Sequence, residues 1–140
     1  LENQISGYRL SPQQARLWLL GQRSSAYRSQ IAIQLEGVLD PHALKAALQA
    51  IVSGHGILRT TYHRSPGIRL PVQVVNDEPR FAWREIDLTG SVLDLDAKGD
   101  LSQSIAAIDE ILREEAGEPF DYKTGPVIRC CLVSLAAQER

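Results

Sequence analysis

The segment VIRCCLVSL, residues 127–135, constrains the fold more than any other stretch of the chain. Val127, Ile128, Cys130, Cys131, Leu132, Val133 and Leu135 put apolar side chains on both sides of an extended backbone. Successive residues of a strand point to opposite faces, so this strand needs cover on each face and neighbouring strands beside it. The chain reaches Arg140 shortly afterwards. A partner strand is therefore expected beyond Arg140, the alternative being a true edge strand. Cys130 and Cys131 are the two cysteines, and as neighbours in a strand they diverge. Neither a disulfide nor a shared metal ion suits that arrangement, and both read as small buried hydrophobes.

The rest of the chain alternates helix with strand. In LSPQQARLWLL, Ser11 caps a helix, Pro12 occupies its first turn and Gln14 completes a capping box, with Ala15, Trp18 and Leu19 as the apolar stripe. After a polar loop containing Ser24, Ser25 and Tyr27, SQIAIQLEG alternates with period two. That predicts a strand over 29–37 with Ile31, Ile33 and Leu35 facing a core. DPHALKAALQAIVSGHG is the clearest helix: Asp40 caps it, Pro41 opens it, and Leu44, Ala47, Leu48 and Ile51 share a face. Gly54 and Gly56 punctuate its end. ILRTTYH and LPVQVV read as two strands of a hairpin around the turn at residues 65–67, followed by a turn at NDEP. FAWREIDL reads as a further strand, and residues 89–100 as loop. LSQSIAAIDEILREEAG predicts a third helix buried along Leu101, Ile105, Ile108 and Leu112. Its acidic side, with Glu110, Glu114 and Glu115, reads as a solvated surface. This order of elements argues for an α/β domain of two or three layers.

Bulk properties set limits on function. At 140 residues, 44% hydrophobic and 23% charged, the chain has the size and make-up of one domain or one lobe. A net charge of -2 argues against a nucleic-acid binder. The apolar runs are too short to span a bilayer and no secretory signal is present, so a cytoplasmic protein without membrane contact is the default. The chain starts at Leu1 without methionine, as an excised piece would.

Few residues offer chemistry unaided. The three histidines, His42, His55 and His63, lack the spacing of a metal site. No GxSxG elbow and no phosphate-cradling glycine loop occurs. His42 reads as a solvated first-turn residue and His55 as a cap at a helix end. In the stretch GHGILRTTYH, residues 54–63, strand parity sends Leu58, Thr60 and Tyr62 one way and Arg59, Thr61 and His63 the other. Arg59 then either forms a structural ion pair or polarises a carbonyl.

Three motifs taken together resemble the N-terminal half of a nonribosomal peptide synthetase condensation domain. SPQQARLWLL is similar to the family's SxAQxRLWxL, with Ser11, Gln14, Arg16, Leu17 and Trp18 in place and Gln13 for the usual alanine. HGILRTTY is similar to RHExLRTxF, sharing His55, Leu58, Arg59 and Thr60, with Tyr62 for phenylalanine. Gly54 and Gly56 stand where arginine and glutamate are usual. EPFDYKTGPVIR resembles PFDLxxGPLxR, with Pro119, Phe120 and Asp121 in place.

The resemblance implies a chloramphenicol-acetyltransferase-like N-terminal lobe with a mixed, mainly antiparallel sheet packed against helices, incomplete at its C-terminus. Residues 1–140 would end before the family's HHxxxDG motif, which carries the catalytic histidine and would follow SLAAQER. The implied parent joins an acyl or peptidyl thioester on one carrier protein to the amine of an acceptor on another. No cofactor is then bound directly, substrates arriving on phosphopantetheine arms. The implied partners are the C-terminal lobe and the upstream and downstream carrier proteins. Arg59 inherits a supporting role near the active site, while Arg16 and Trp18 hold the lobe together. The chain alone would be inactive. Epimerisation, heterocyclisation and standalone acyltransferase relatives share the lobe, and a non-catalytic interaction lobe is the remaining alternative.

Overall fold

The computed structural model describes residues 7–21, 28–89 and 102–135. Local chemistry starts each helix. In α1 (Pro12–Gly21), the Ser11 N–H donates to Gln14 Oε1 at 2.8 Å, and the Gln14 N–H donates to Ser11 Oγ at 3.2 Å. This is the reciprocal capping box expected from the sequence. In α2 (Pro41–Gly54), Asp40 Oδ1 accepts from the N–H groups of His42 and Ala43 at 2.8 and 3.2 Å.

The strands form two small sheets. β1 (Tyr8–Arg9), β2 (Thr60–His63) and β3 (Val72–Val75) make an antiparallel sheet in the order β1-β3-β2. The predicted hairpin is β2–β3, in register Tyr62↔Gln73 and His63↔Val72. β1 is a strand that the sequence pattern did not announce, entering through Gly7. A Cβ there would sit 2.9 Å from Val72 Cγ2 and 3.0 Å from the Gln73 carbonyl oxygen, so only glycine lets the chain come this close. β4 (Ala82–Asp87) and β5 (Arg129–Ser134) pair in parallel, with α3 (Ser102–Gly117) between them in the chain. The result is a mixed, mainly antiparallel arrangement packed against helices.

Four expectations need correction. Residues 29–37 form no ladder, and Ile31, Ile33 and Leu35 are 82%, 72% and 54% exposed. Alternation fixes which way side chains point, but a strand also needs a neighbour for its backbone groups, and no strand lies beside this segment among the described residues. Arg59 and the two residues before it are not strand. Gly56–Arg59 is a single 3-10 turn, and β2 begins at Thr60. The packed stripe of α2 runs through half-buried Leu44 and Leu48 to Val52, which is 1% exposed, while Ala47 and Ile51 lie outside it. The contact follows one i, i+4 ridge, narrower than a full amphipathic face. Ile105 of α3 is 57% exposed, and Ile108 and Leu112 are half-buried. The loop assigned to Ser24, Ser25 and Tyr27, Leu101, and nearly all of the 89–100 loop lie outside the described residues.

β5 has β4 on one side and no strand on its other edge among the described residues. Its side chains are half-buried throughout, with Cys130 and Cys131 as free thiols. Burial raises the pKa of both, and Glu115 adds to the rise at Cys131. The acidic side of α3 is more than a solvated surface. Arg84 Nη1 reaches Glu115 at 3.3 Å and Glu114 at 3.6 Å, joining α3 to β4, and Arg113 pairs with Glu110. No helix of the described residues is long and apolar enough to cross a membrane.

Candidate functional site

The second motif closes α2 and opens β2. His55 caps the helix: its Nδ1 lies 2.8 Å from the Ile51 carbonyl oxygen, on the outside of the molecule. Leu58 is half-buried, and Thr60, 3% exposed, donates from Oγ1 to the Gly56 carbonyl at 2.8 Å. That bond ties the start of the strand to the turn before it.

Arg59 turns inward from the 3-10 turn. Its Nη1 donates to the Asn76 carbonyl and, at 3.5 Å, to the Asp77 carbonyl. Its Nε is buried with no partner. The expected alternatives were an ion pair or a polarised carbonyl. The geometry instead gives Arg59 two backbone carbonyls beyond β3, so it fastens the β3–β4 loop to the end of α2.

Asn76 answers this contact. Its backbone N–H and its Nδ2 both donate to the Arg59 carbonyl, at 3.0 and 2.8 Å. Nδ2 also donates to Thr61 Oγ1 at 3.0 Å, and Thr61 Oγ1 lies 2.9 Å from His63 Nε2. Thr61 Oγ1 accepts from Asn76 and still has both its proton and a second lone pair for His63 Nε2, so the tautomer of His63 sets the direction of that last bond. Sequence reasoning missed Asn76. It sits in NDEP, which reads as a turn, and its partners lie 15 and 17 residues away.

The third motif folds as a tight loop on the edge of β2. Asp121 Oδ1 accepts from the Lys123 N–H at 2.8 Å, and Oδ2 accepts from Thr124 Oγ1 at 2.5 Å. The Thr124 hydroxyl and the Lys123 amide hold the Asp121 carboxyl below its usual pKa. Gly125 closes the loop at φ +71, a left-handed backbone that suits glycine, with its N–H on the Asp121 carbonyl at 2.8 Å. The Tyr122 carbonyl accepts from the Tyr62 N–H at 2.7 Å and so covers the β2 edge.

Side chains then link all three motifs. Trp18 of α1 lies 5.5 Å from Tyr62 and 6.4 Å from Tyr122, ring centre to ring centre, and Phe120 lies 6.2 Å from Tyr122. Arg129 stacks over Phe120 at 4.0 Å. Burial, then the neighbouring Tyr122, raises the Tyr62 pKa. Gln14 donates from Nε2 to Gln73 Oε1 at 3.2 Å, so the capping-box residue also pins α1 to β3. Arg129 closes the third motif and Tyr122 stands at its leucine position, but the motif did not give their contacts, and nothing in the sequence pattern marked Gln73. Ser11 and Pro119 stay at the surface, as does Arg16 on the exposed side of α1.

Motifs two and three meet across a cleft of about 340 Å³ lined by Leu58, Arg59, Thr61, Asn76, Thr124 and Gly125, among others. Neither His55 nor His63 lines this cleft. It offers hydrogen-bonding groups, the guanidinium groups of Arg59 and Arg80 and the carboxylates of Asp77 and Glu78, and its Thr61 hydroxyl lies 2.9 Å from His63 Nε2.

A family model described as the condensation domain matches residues 4–140. The chain belongs to the condensation-domain family. It is 33% identical over 127 residues to a linear gramicidin synthase of Brevibacillus parabrevis, covering 89% of this chain. It is also 33% identical over 129 residues to a cyclosporin synthetase of Tolypocladium inflatum, covering 90% of this chain. The condensation-domain chain spans only 2% and 1% of those two proteins, respectively. In three dimensions it resembles the starter condensation domain of a rhizomide synthetase variant in complex with C8-CoA. That match has a TM-score of 0.71 at 23% identity, over 94% of this chain and 28% of the other. An epimerization domain from a tyrocidine synthetase matches with a TM-score of 0.69 at 21% identity, over 93% of this chain and 27% of that one. The shared fold is that of the N-terminal lobe.

Proposed function

We propose that residues 1–140 are the N-terminal part of a condensation domain that forms an amide bond in nonribosomal peptide synthesis. The donor is an acyl or peptidyl thioester on one carrier protein, and the acceptor is an amine on another. The family match over residues 4–140 carries this reading. The packing of the second and third motifs around one cleft, and of all three around one aromatic cluster, supports it. Amide formation needs the amine held close to the thioester carbon and charge stabilised on the tetrahedral intermediate. These residues supply the wall against which that geometry is held. Arg59 is its supporting residue, keeping the β3–β4 loop in place. The proton-handling histidine belongs to an HHxxxDG motif C-terminal to this chain.

The test uses the intact parent polypeptide with two loaded carrier proteins, read by mass spectrometry of the carrier-bound product. A condensed thioester is expected. An inverted α-carbon on an otherwise unchanged thioester would instead identify an epimerising relative, with which this fold agrees nearly as well. Arg59→Ala should lower turnover at least about tenfold, the usual scale for losing a group that holds an active-site wall. Unchanged turnover in a folded variant would remove Arg59 from the site.

A further inference from the structure

Charge is divided unequally along this chain. Residues 1–76 hold eight Lys and Arg against three Asp and Glu, a net of +5. Residues 77–140 hold seven against fourteen, a net of -7, which together give the overall -2. Between Asp40 and Asp77 there is no acidic residue at all. The topology turns this into a spatial division, because β1, β2 and β3 all come from the basic part while β4, β5 and α3 come from the acidic part.

Most of the cations with defined contacts have internal roles. Arg28 donates to the Ala116 and Glu118 carbonyls, Arg59 to those of Asn76 and Asp77, and Lys45 lies 5.9 Å over Trp83. Arg9, Arg64 and Arg69 differ: all three are exposed and pair with no acid among the described residues. They gather at one end of the antiparallel sheet. Arg9 and His63 both stand opposite Val72, so the three side chains share a face. Arg64 and Arg69 flank the adjoining hairpin tip, whose concave surface is lined by Arg64, Ser65, Pro66, Gly67, Ile68 and Arg69. Ile68 is 57% exposed between the two arginines, and Gly67 holds the turn at φ +78.

We infer that this hairpin end, formed by Arg9, Arg64, Ile68 and Arg69, is a docking surface for an acidic face of a carrier domain. The inference rests on the proposed function for the partner's identity. Charge complementarity selects an anionic partner, and the apolar Ile68 set among arginines suits a protein surface better than a bare polyanion. Of the four acids on the chain's own α3, Glu110, Glu114 and Glu115 already face Arg113 and Arg84, which leaves Asp109. That disfavours a second copy as the occupant.

A photo-crosslinking residue at Ile68 in the intact parent, mixed with a phosphopantetheinylated carrier domain of the same synthetase, tests this without requiring turnover. A crosslink to acidic positions of the carrier is expected. Arg64→Glu combined with Arg69→Glu should reduce it about tenfold at low salt, with the difference shrinking near 0.5 M salt as screening sets in. In the condensation assay the same variant should raise KM for the carrier-borne substrate and leave kcat unchanged. Absence of the crosslink, crosslinking to a second copy, or equal competition by short duplex DNA would each overturn the inference. If the wild-type parent makes no amide yet the crosslink forms, the proposed reaction fails while the docking surface stands.

Discussion

Arg59 and Asn76 satisfy one another across 17 residues of chain. The asparagine gives two N–H groups to the Arg59 carbonyl, and the guanidinium returns to the Asn76 carbonyl. A mutual contact of this kind predicts non-additivity. Asn76→Ala should cost about 1–2 kcal/mol, because the side-chain bonds to Arg59 and Thr61 are lost from a partly buried site. The double variant with Arg59→Ala should cost less than the two single changes summed, by about 1 kcal/mol in denaturant unfolding of the intact parent. Strict additivity would show that the two act independently. Arg59 stood out in the sequence through strand parity and its place in HGILRTTY, yet its partner did not. Caps such as Ser11–Gln14 and Asp40 were legible because donor and acceptor lie within four residues. Asn76 resembles any turn asparagine until the hairpin brings Arg59 and Thr61 beside it.

Among the elements, the loop formed by residues 118–126 is built on one exposed carboxylate. Asp121 accepts from the Thr124 hydroxyl and the Lys123 amide, and these bonds lower its pKa from 3.8. A lowered folded value means that the carboxylate supports the loop above the unfolded pKa. That support is lost as pH falls through the lower folded value. The amide resonances of Lys123 and Thr124 should therefore titrate with a midpoint below 3.8. Asp121→Asn should abolish that titration, whereas a midpoint at or above 3.8 would show that these bonds do not form. Elements were legible from sequence where their determinants are local. Both sides of the β2–β3 hairpin, β4, β5 and all three helices were expected in about their observed places. Residues 29–37 alternate as a strand would, but pairing is a property of the neighbour. The α2 stripe ends at Val52 rather than Ile51 because the surface it meets, not the helix itself, selects the buried ridge.

At the scale of the whole molecule, burial among the described residues is sparse. Val52 is the one fully buried aliphatic side chain among the described residues, while Ile31, Ile33 and Val38 are 82%, 72% and 80% exposed. The two-faced apolar character of VIRCCLVSL already demanded cover on both sides, and β5 shows an uncovered edge among the described residues. What the sequence could not reveal is how far the shortage extends, because exposure depends on how few layers meet. Apolar surface is the main driving force for folding, so a chain that leaves this much of it in water has little to set against its conformational entropy. Residues 1–140 produced alone should bind a hydrophobic dye and melt broadly, with far less than the usual unfolding enthalpy of about 0.7 kcal/mol per residue. The same residues within the intact parent should melt in one sharp transition and bind little dye. Calorimetry of the two samples decides the matter: a sharp transition with full enthalpy in the short chain would mean that the aromatic cluster and the two sheets suffice by themselves.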